Sequence, residues 1–227
     1  MKCYNHKVKI KELHGWNLTP SEAIALQKEL APKVSRNDDT GSPRFIAGAD
    51  ISTTRARGAA TAAVIVVSYP GLEVVDSSVI RCETTFPYIP GLLSFRESPL
   101  VLEACRNLKV EFDLLLVDGQ GIAHPRRMGL ASHMGLVLDK PTIGCAKSRL
   151  IGTYAEPGNP AGSCSELLDD EEIIGAVLRT RKGVKPIFVS IGHKVDLPAA
   201  IKWALACCVN YRIPEPLRLA HLAAGGN

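Results

Sequence analysis

Three runs of small and β-branched apolar residues, Arg44–Ser52, Ala59–Ser68 and Leu72–Cys82, follow one another with only Thr53–Gly58 and Tyr69-Pro70-Gly71 between them. Links this short join antiparallel neighbours and leave no room for the crossover helix that parallel neighbours require. After Pro87-Tyr88-Ile89-Pro90-Gly91 the period changes. Leu92, Leu93, Phe95, Leu100, Val101, Leu102 and Ala104 predict a helical region that restarts at Ser98-Pro99 and ends near Leu108. Phe112–Val117 is a continuous apolar run, the pattern of a strand covered on both faces, and Asp118-Gly119-Gln120-Gly121 closes it. Beyond it the pattern predicts a helix over Met128–Leu138, strands over Thr142–Ala146, Ile174–Thr180 and Ile187–Ile191, and helices over Leu197–Val209 and Glu215–Ala224. Pro157–Gly162 reads as a surface loop or hairpin tip. Upstream, Thr19-Pro20-Ser21-Glu22 has the N-cap, first-turn proline and capping-box acid of a helix start. That helix is predicted to run to about Ser35, with a loop over Asn37–Pro43.

This order of elements predicts an α/β layer structure with a mixed sheet flanked by helices. Its 227 residues suit one domain over 1–227, with 1–43 as an N-terminal helical extension packed on it. Composition adds exclusions. The seven cysteines are odd in number and form no C-x-x-C pair, which argues against a disulfide framework or a zinc ribbon. The first residues lack the apolar core of a signal peptide. The longest apolar stretch, Ala59–Val67, is interrupted by Thr61 and falls far short of the ~20 residues of a membrane helix. The expectation is a cytoplasmic protein that does not enter membranes, with a monomer as the default. A net charge of +4, from 27 Lys and Arg against 23 Asp and Glu, permits nucleic-acid binding without requiring it. The distribution says more. Arg126, Arg127, Lys140, Lys147 and Arg149 face only Asp139 between Gly121 and Leu150, which marks an anion-facing surface.

Three acids stand where local structure does not ask for them. Asp50 interrupts Phe45–Ile51, Glu97 ends Leu92–Glu97, and Asp118 caps the buried strand. Alone, Asp50 reads as a solvent-facing strand residue, Glu97 as a helix-surface acid, and Asp118 before Gly119 as turn chemistry. Together they suit a Mg²⁺ or Mn²⁺ site for phosphoryl chemistry, because sequential strands tend to be neighbours and carboxylate oxygens suit hard cations. The glycine-rich run after Asp118 is not a dinucleotide loop: His124 replaces the third glycine and Pro125 delays any helix. His124 and His133 are weakly spaced for zinc and read as one loop and one helix histidine. Pro87–Gly91 is stiff, since prolines set φ and the glycine allows a sharp exit. It reads either as a structural turn or as a wedge presenting Tyr88 and Ile89.

The blocks Gly48-Ala49-Asp50, Pro87–Glu97, Val117–Gly121, Ala123–Arg127, Gly129–His133, Cys145–Ser148, Ile191–His193 and Tyr211–Pro216 jointly resemble the endonuclease V family of deoxyinosine 3′ endonucleases, over about Phe45–His221. Ala49 departs from the pattern, standing where a larger Val is expected. The resemblance implies a ribonuclease H-like fold and Mg²⁺-dependent hydrolysis, with Mn²⁺ substituting. The bond cut is the second phosphodiester 3′ to a deaminated purine, which leaves a 3′-hydroxyl and a 5′-phosphate. It implies Asp50, Asp118 and Glu97 as the metal-centre acids, Lys147 to offset transition-state charge, and His221 to assist proton transfer. It implies Tyr88 as the wedge beside Ile89, Pro90 and Gly91. Backbone around Gly119, Gly121 and Ile122 is expected to read the base edge, with His124, Arg126 and Arg127 on the DNA. An inosine-specific endoribonuclease with the same centre, and a non-catalytic nucleic-acid-binding module, are the alternatives.

Overall fold

The computed structural model describes residues 8–53 and 58–225. Cys3, the start of the segment read for a signal peptide, and the interior of the Thr53–Gly58 link lie outside the described residues. One sheet runs through the molecule. Its strands are β1 (Phe45–Thr53), β2 (Ala59–Ser68), β3 (Val74–Glu83), β4 (Leu114–Val117), β5 (Thr142–Ala146), β6 (Cys164–Asp169), β7 (Glu172–Leu178) and β8 (Ile187–His193), in the spatial order 3-2-1-4-5-8-7-6. The first three are antiparallel hairpin neighbours, as their short links require. β4 joins β1 in parallel and β5 joins β4 in parallel, each after a helical crossover. The sheet is mixed, as expected.

Alternation along β1 and β4 decides which residues meet which helix. Ala47, Ala49, Leu115 and Val117 pack under α2 (Leu93–Arg106) and α3 (Leu130–Leu138), with Ala104, Ala131 and Met134 among their partners. Ile46, Leu114 and Leu116 point the other way, into a core shared with α4 (Leu197–Ala206) and α5 (Glu215–Ala223) through Trp203, Leu217 and Ala220. Both faces are covered, which is why Leu114–Val117 reads as an unbroken apolar run. The N-terminal helix α1 (Pro20–Leu30) begins with the expected capping box on Thr19 and Glu22. It buries Ala23 against Phe86, Leu92 and Phe95, and Leu30 against Met128 and Leu136.

Several expectations are corrected. α1 ends at Leu30 and tightens into a 3₁₀ turn over Ala31–Lys33, because Pro32 has no N–H to continue the α-helical ladder. α2 does not restart at Ser98-Pro99; it is one helix with Pro99 inside it, and its burial against the sheet outweighs the lost hydrogen bond. β3 starts at Val74, since Leu72 takes a left-handed φ of 54° in the turn. α4 stops at Ala206 short of Val209, and β7 spans Glu172–Leu178. Strand β6 was not anticipated. Half of its residues are polar and it buries only Leu167, as an edge strand can. Cys82, Cys105, Cys145, Cys164, Cys207 and Cys208 are free thiols, and no described helix is long and apolar enough to cross a membrane.

Candidate metal centre and nucleic-acid interface

Ile46, Gly48 and Asp50 share the face of β1 that looks toward α5. Gly48 has to be glycine: a Cβ there would lie 2.3 Å from the Pro216 carbonyl carbon and 2.6 Å from the Leu217 nitrogen. The helix therefore lies almost on the strand, and His221, one and a half turns further on, reaches Asp50 with Nδ1 2.6 Å from Oδ2. Asp50 is only 7% exposed, so it does not face solvent. By the same alternation Leu114, Leu116 and Asp118 share this face of β4, and the Asp118 N–H donates to the Ala49 carbonyl at 3.0 Å. The two acids thus stand side by side at the carboxyl ends of adjacent parallel strands, where ligands of open α/β sheets commonly bind. Asp50, Asp118 and His221 each offer a ligand atom, all within 4.8 Å of one another.

Lys147 follows β5, the next parallel strand, and its Nζ lies 2.5 Å from Asp118 Oδ2 and 3.5 Å from His221 Nδ1. Glu97 enters from α2 and lines the same cavity of about 610 Å³. It lies outside the tight group formed by the other two acids and the imidazole. Burial, with the charge of Asp50 second, pushes the Glu97 carboxyl up to about 7. Asp118 is also raised, first by burial and then by Asp50, while Lys147 acts in the opposite direction. Crowded acids that repel one another favour a bound cation. Two carboxylates with an imidazole beside them fit a hard divalent ion, with Glu97 in reach of the cavity rather than of the tight group.

Tyr88 stands on the rim of this cavity, 68% exposed, on the loop that leads into α2. Ile89 does not project with it; it packs against the cluster of Ala23, Phe86, Leu92 and Phe95. Pro90 and Gly91 line the cavity, and Gly91 turns with φ 80°. Of the three expected base readers, Gly119 lines the cavity. The Gly121 N–H is committed to Ser190 Oγ at 2.8 Å and the Ile122 N–H to the Ile191 carbonyl at 2.8 Å. His124 accepts from the Arg126 backbone N–H through Nδ1 and so donates from Nε2 to the Gly91 carbonyl at 2.9 Å. Burial depresses its pKa to about 4, which keeps it neutral.

Arg126 and Arg127 are both engaged within the protein. Arg126 Nη2 donates to the Gly91 carbonyl at 2.7 Å and Nε to Gln27 Oε1 at 2.5 Å. Arg127 is paired with Asp169 at 2.8 Å and Glu172 at 2.7 Å. His133 is the expected helix histidine, buried in α3, and meets His14 at 2.7 Å between Nε2 atoms. Sequence reasoning missed Gln27 and gave the side chains of Gln120 and Arg212, though both lie in the family-like blocks, no role. Gln120 lines the cavity, with Nε2 donating to the Ser148 carbonyl at 3.0 Å. Arg212 Nη2 holds the backbone carbonyl of Lys147 at 2.8 Å. Gln27 was detectable, since it sits between Ala23 and Leu30 on the buried stripe of α1.

Two carboxylates on neighbouring strand ends, with a lysine, an imidazole and a third acid around one cavity, define a metal-dependent nuclease of the α/β class. The chain belongs to the endonuclease V family, whose family model matches residues 28–222. The endonuclease V of Dehalococcoides mccartyi is 54% identical to it over 217 residues, which cover 96% of this chain and 97% of the relative. The crystal structure of the Streptomyces avermitilis endonuclease V superposes with a TM-score of 0.88 at 42% identity, covering 96% of each chain. The Ciona intestinalis endonuclease V, solved with a 23mer DNA containing an inosine followed by a ribo-adenosine, gives 0.79 at 30% identity, covering 91% of this chain and 97% of that one.

Proposed function

We propose that this nuclease is a cytoplasmic DNA-repair enzyme that recognises deoxyinosine and hydrolyses the second phosphodiester bond 3′ to it. The products are a 3′-hydroxyl and a 5′-phosphate, and the cofactor is Mg²⁺, with Mn²⁺ substituting. The observation that carries the reading is the single cavity that joins Asp50, Asp118 and His221 to a loop tipped by Tyr88. The inosine-containing DNA bound by the Ciona relative supports the substrate class.

In this reading Asp50 and Asp118 hold the ion and Glu97 orients the attacking water. The ion, when bound, supplies Lewis acidity at the scissile phosphate. Lys147 places its ammonium beside Asp118 and offsets charge on the pentacoordinate phosphate. His221 is oriented by its Nδ1 contact with Asp50, which leaves Nε2 to exchange a proton. Arg212 fixes the strand end that carries Lys147. The cavity is large enough for a base turned out of the stack; flipping costs a few kcal/mol and is cheapest at a weakly paired lesion. Tyr88 fills the gap in the duplex, and Gly119 in the cavity wall offers backbone to the base edge. A second reading, cleavage of inosine-containing RNA, draws support from the ribonucleotide that follows inosine in the Ciona complex.

The test is strand cleavage of matched end-labelled DNA and RNA duplexes carrying one inosine, with Mg²⁺ or EDTA, by wild type and Asp118→Ala. Metal-dependent DNA cleavage one nucleotide beyond the lesion, reduced by roughly 10³-fold or more in the variant, is the expected result. Cleavage of RNA alone moves the function to RNA turnover. Binding without cleavage of either overturns the enzyme reading.

A further inference from the structure

The wedge loop is stiff within itself, yet a stiff loop positions nothing unless its base is held. Its exit carbonyl, on Gly91, is held unusually well. It accepts from Arg126 Nη2 at 2.7 Å, His124 Nε2 at 2.9 Å and Gln27 Nε2 at 3.0 Å. The Gln27 amide is the hub of this arrangement. Its Nε2 also donates to the Met128 carbonyl at 3.0 Å, and its Oε1 takes the Arg126 Nε–H at 2.5 Å. Gln27 is 1% exposed, so a broken partnership here cannot be repaired by bulk water. Three segments meet at this one side chain: helix α1, the exit of the wedge loop, and the loop after β4 that begins in the cavity wall at Gly119. The approach is close as well as polar, since a Cβ on Gly91 would come 2.9 Å from Arg126 Nη2.

We infer that Gln27 is a positioning residue for lesion recognition, acting through Arg126 and the Gly91 carbonyl to hold Tyr88 in register with the base cavity. This rests on the inosine-endonuclease reading above and gives α1, which contributes nothing to the acidic centre, a share in specificity. It also recasts Arg126: its guanidinium bonds the protein's own loop, and its effect on DNA is exerted through that loop.

The test uses Gln27→Met, which keeps length and bulk and removes every hydrogen bond, in single-turnover cleavage of an inosine duplex with Mg²⁺. The half-saturating enzyme concentration is expected to rise roughly tenfold, with the maximal rate held within about twofold. The fluorescence of 2-aminopurine beside the inosine, which reports unstacking, is expected to fall in the complex. In a Tyr88→Ala background Gln27→Met is expected to add nothing, because the wedge through which it acts is gone. If Gln27→Met fails to fold, Gln27→Glu serves: it keeps the acceptor for Arg126 and turns the two donated bonds into contacts between a carboxylate oxygen and the Gly91 and Met128 carbonyls, which should loosen the loop in the same direction. Unchanged half-saturation, an equal loss in maximal rate alone, or additive penalties with Tyr88→Ala would each overturn the inference. A wild type that leaves inosine duplexes uncut overturns the functional reading itself, and is told apart by the absence of any cleavage to compare.

Discussion

His133 shows how one buried ring constrains its neighbours. It has no exposed surface, and it packs on Trp16 at 5.0 Å and Phe95 at 5.1 Å between ring centres. Because His14 Nδ1 donates to the Gly15 carbonyl, His14 Nε2 is left to accept from His133 Nε2. A second proton on His133 would have to go on Nδ1, a buried nitrogen with no hydrogen-bond partner among the described residues, so nothing near it offsets the cost of charging the ring. Burial, followed by His14, lowers the His133 pKa from 6.5 to about 3. Between those values the unfolded chain takes a proton that the native ring refuses. Stability therefore falls as pH falls through that window, and is undiminished by this group above 6.5. His133→Leu is expected to flatten the dependence by up to about 1.4 kcal/mol per pH unit between pH 6 and 4, measured by urea unfolding. An unchanged slope would mean that the ring titrates normally.

At the scale of elements, the centre depends on how closely α5 approaches β1. Gly48→Ala puts a methyl group into the backbone at Pro216, and the helix must move, because backbone cannot rotate aside as a side chain does. The expected result is a destabilisation of about 1–3 kcal/mol together with loss of cleavage, as His221 leaves Asp50. Gly15→Ala, where a Cβ meets nothing within 4 Å, is the control that should leave both unchanged. Thermal melting and cleavage measured side by side separate the two effects. The strands were legible where burial wrote a pattern: β1, β2 and β4 are apolar because both their faces are covered. β6 was not, because an edge strand lying partly in solvent is under little pressure to be apolar. Pro99 was misread for a related reason, since local propensity marks a break that packing over the whole of α2 overrides.

For the whole molecule, the question is which positive charges are free to meet a polyanion. Arg127 was expected on the DNA backbone, but Asp169 and Glu172 occupy it. Arg127→Ala should leave the salt dependence of DNA binding unchanged and cost about 1 kcal/mol of stability at this partly exposed site. Arg149 lines the cavity, lies 5.6 Å from the Tyr154 ring centre and donates to the Gly152 carbonyl. Its replacement by Ala should reduce the slope of log affinity against log salt by about one. Affinity measured at several salt concentrations decides both. A reduced slope for Arg127→Ala would show that its ion pairs open when DNA arrives.

The amino-acid sequence by itself determined the mixed α/β architecture, the antiparallel order of the first three strands, and the three acids that stand out from their surroundings. These are local matters, because periodicity, turn chemistry and a charge within an apolar run are all written over a few residues. Only the tertiary structure decided that Asp50 and Asp118 share one face at the ends of parallel neighbours, that His221 joins them across Gly48, and that Glu97 stays outside the tight group. It also placed Arg126 on the wedge-loop carbonyl and Arg127 between Asp169 and Glu172. Such pairings depend on which partner lies opposite, and residues 99 positions apart, as Gln27 and Arg126 are, share no local pattern from which their contact could be read.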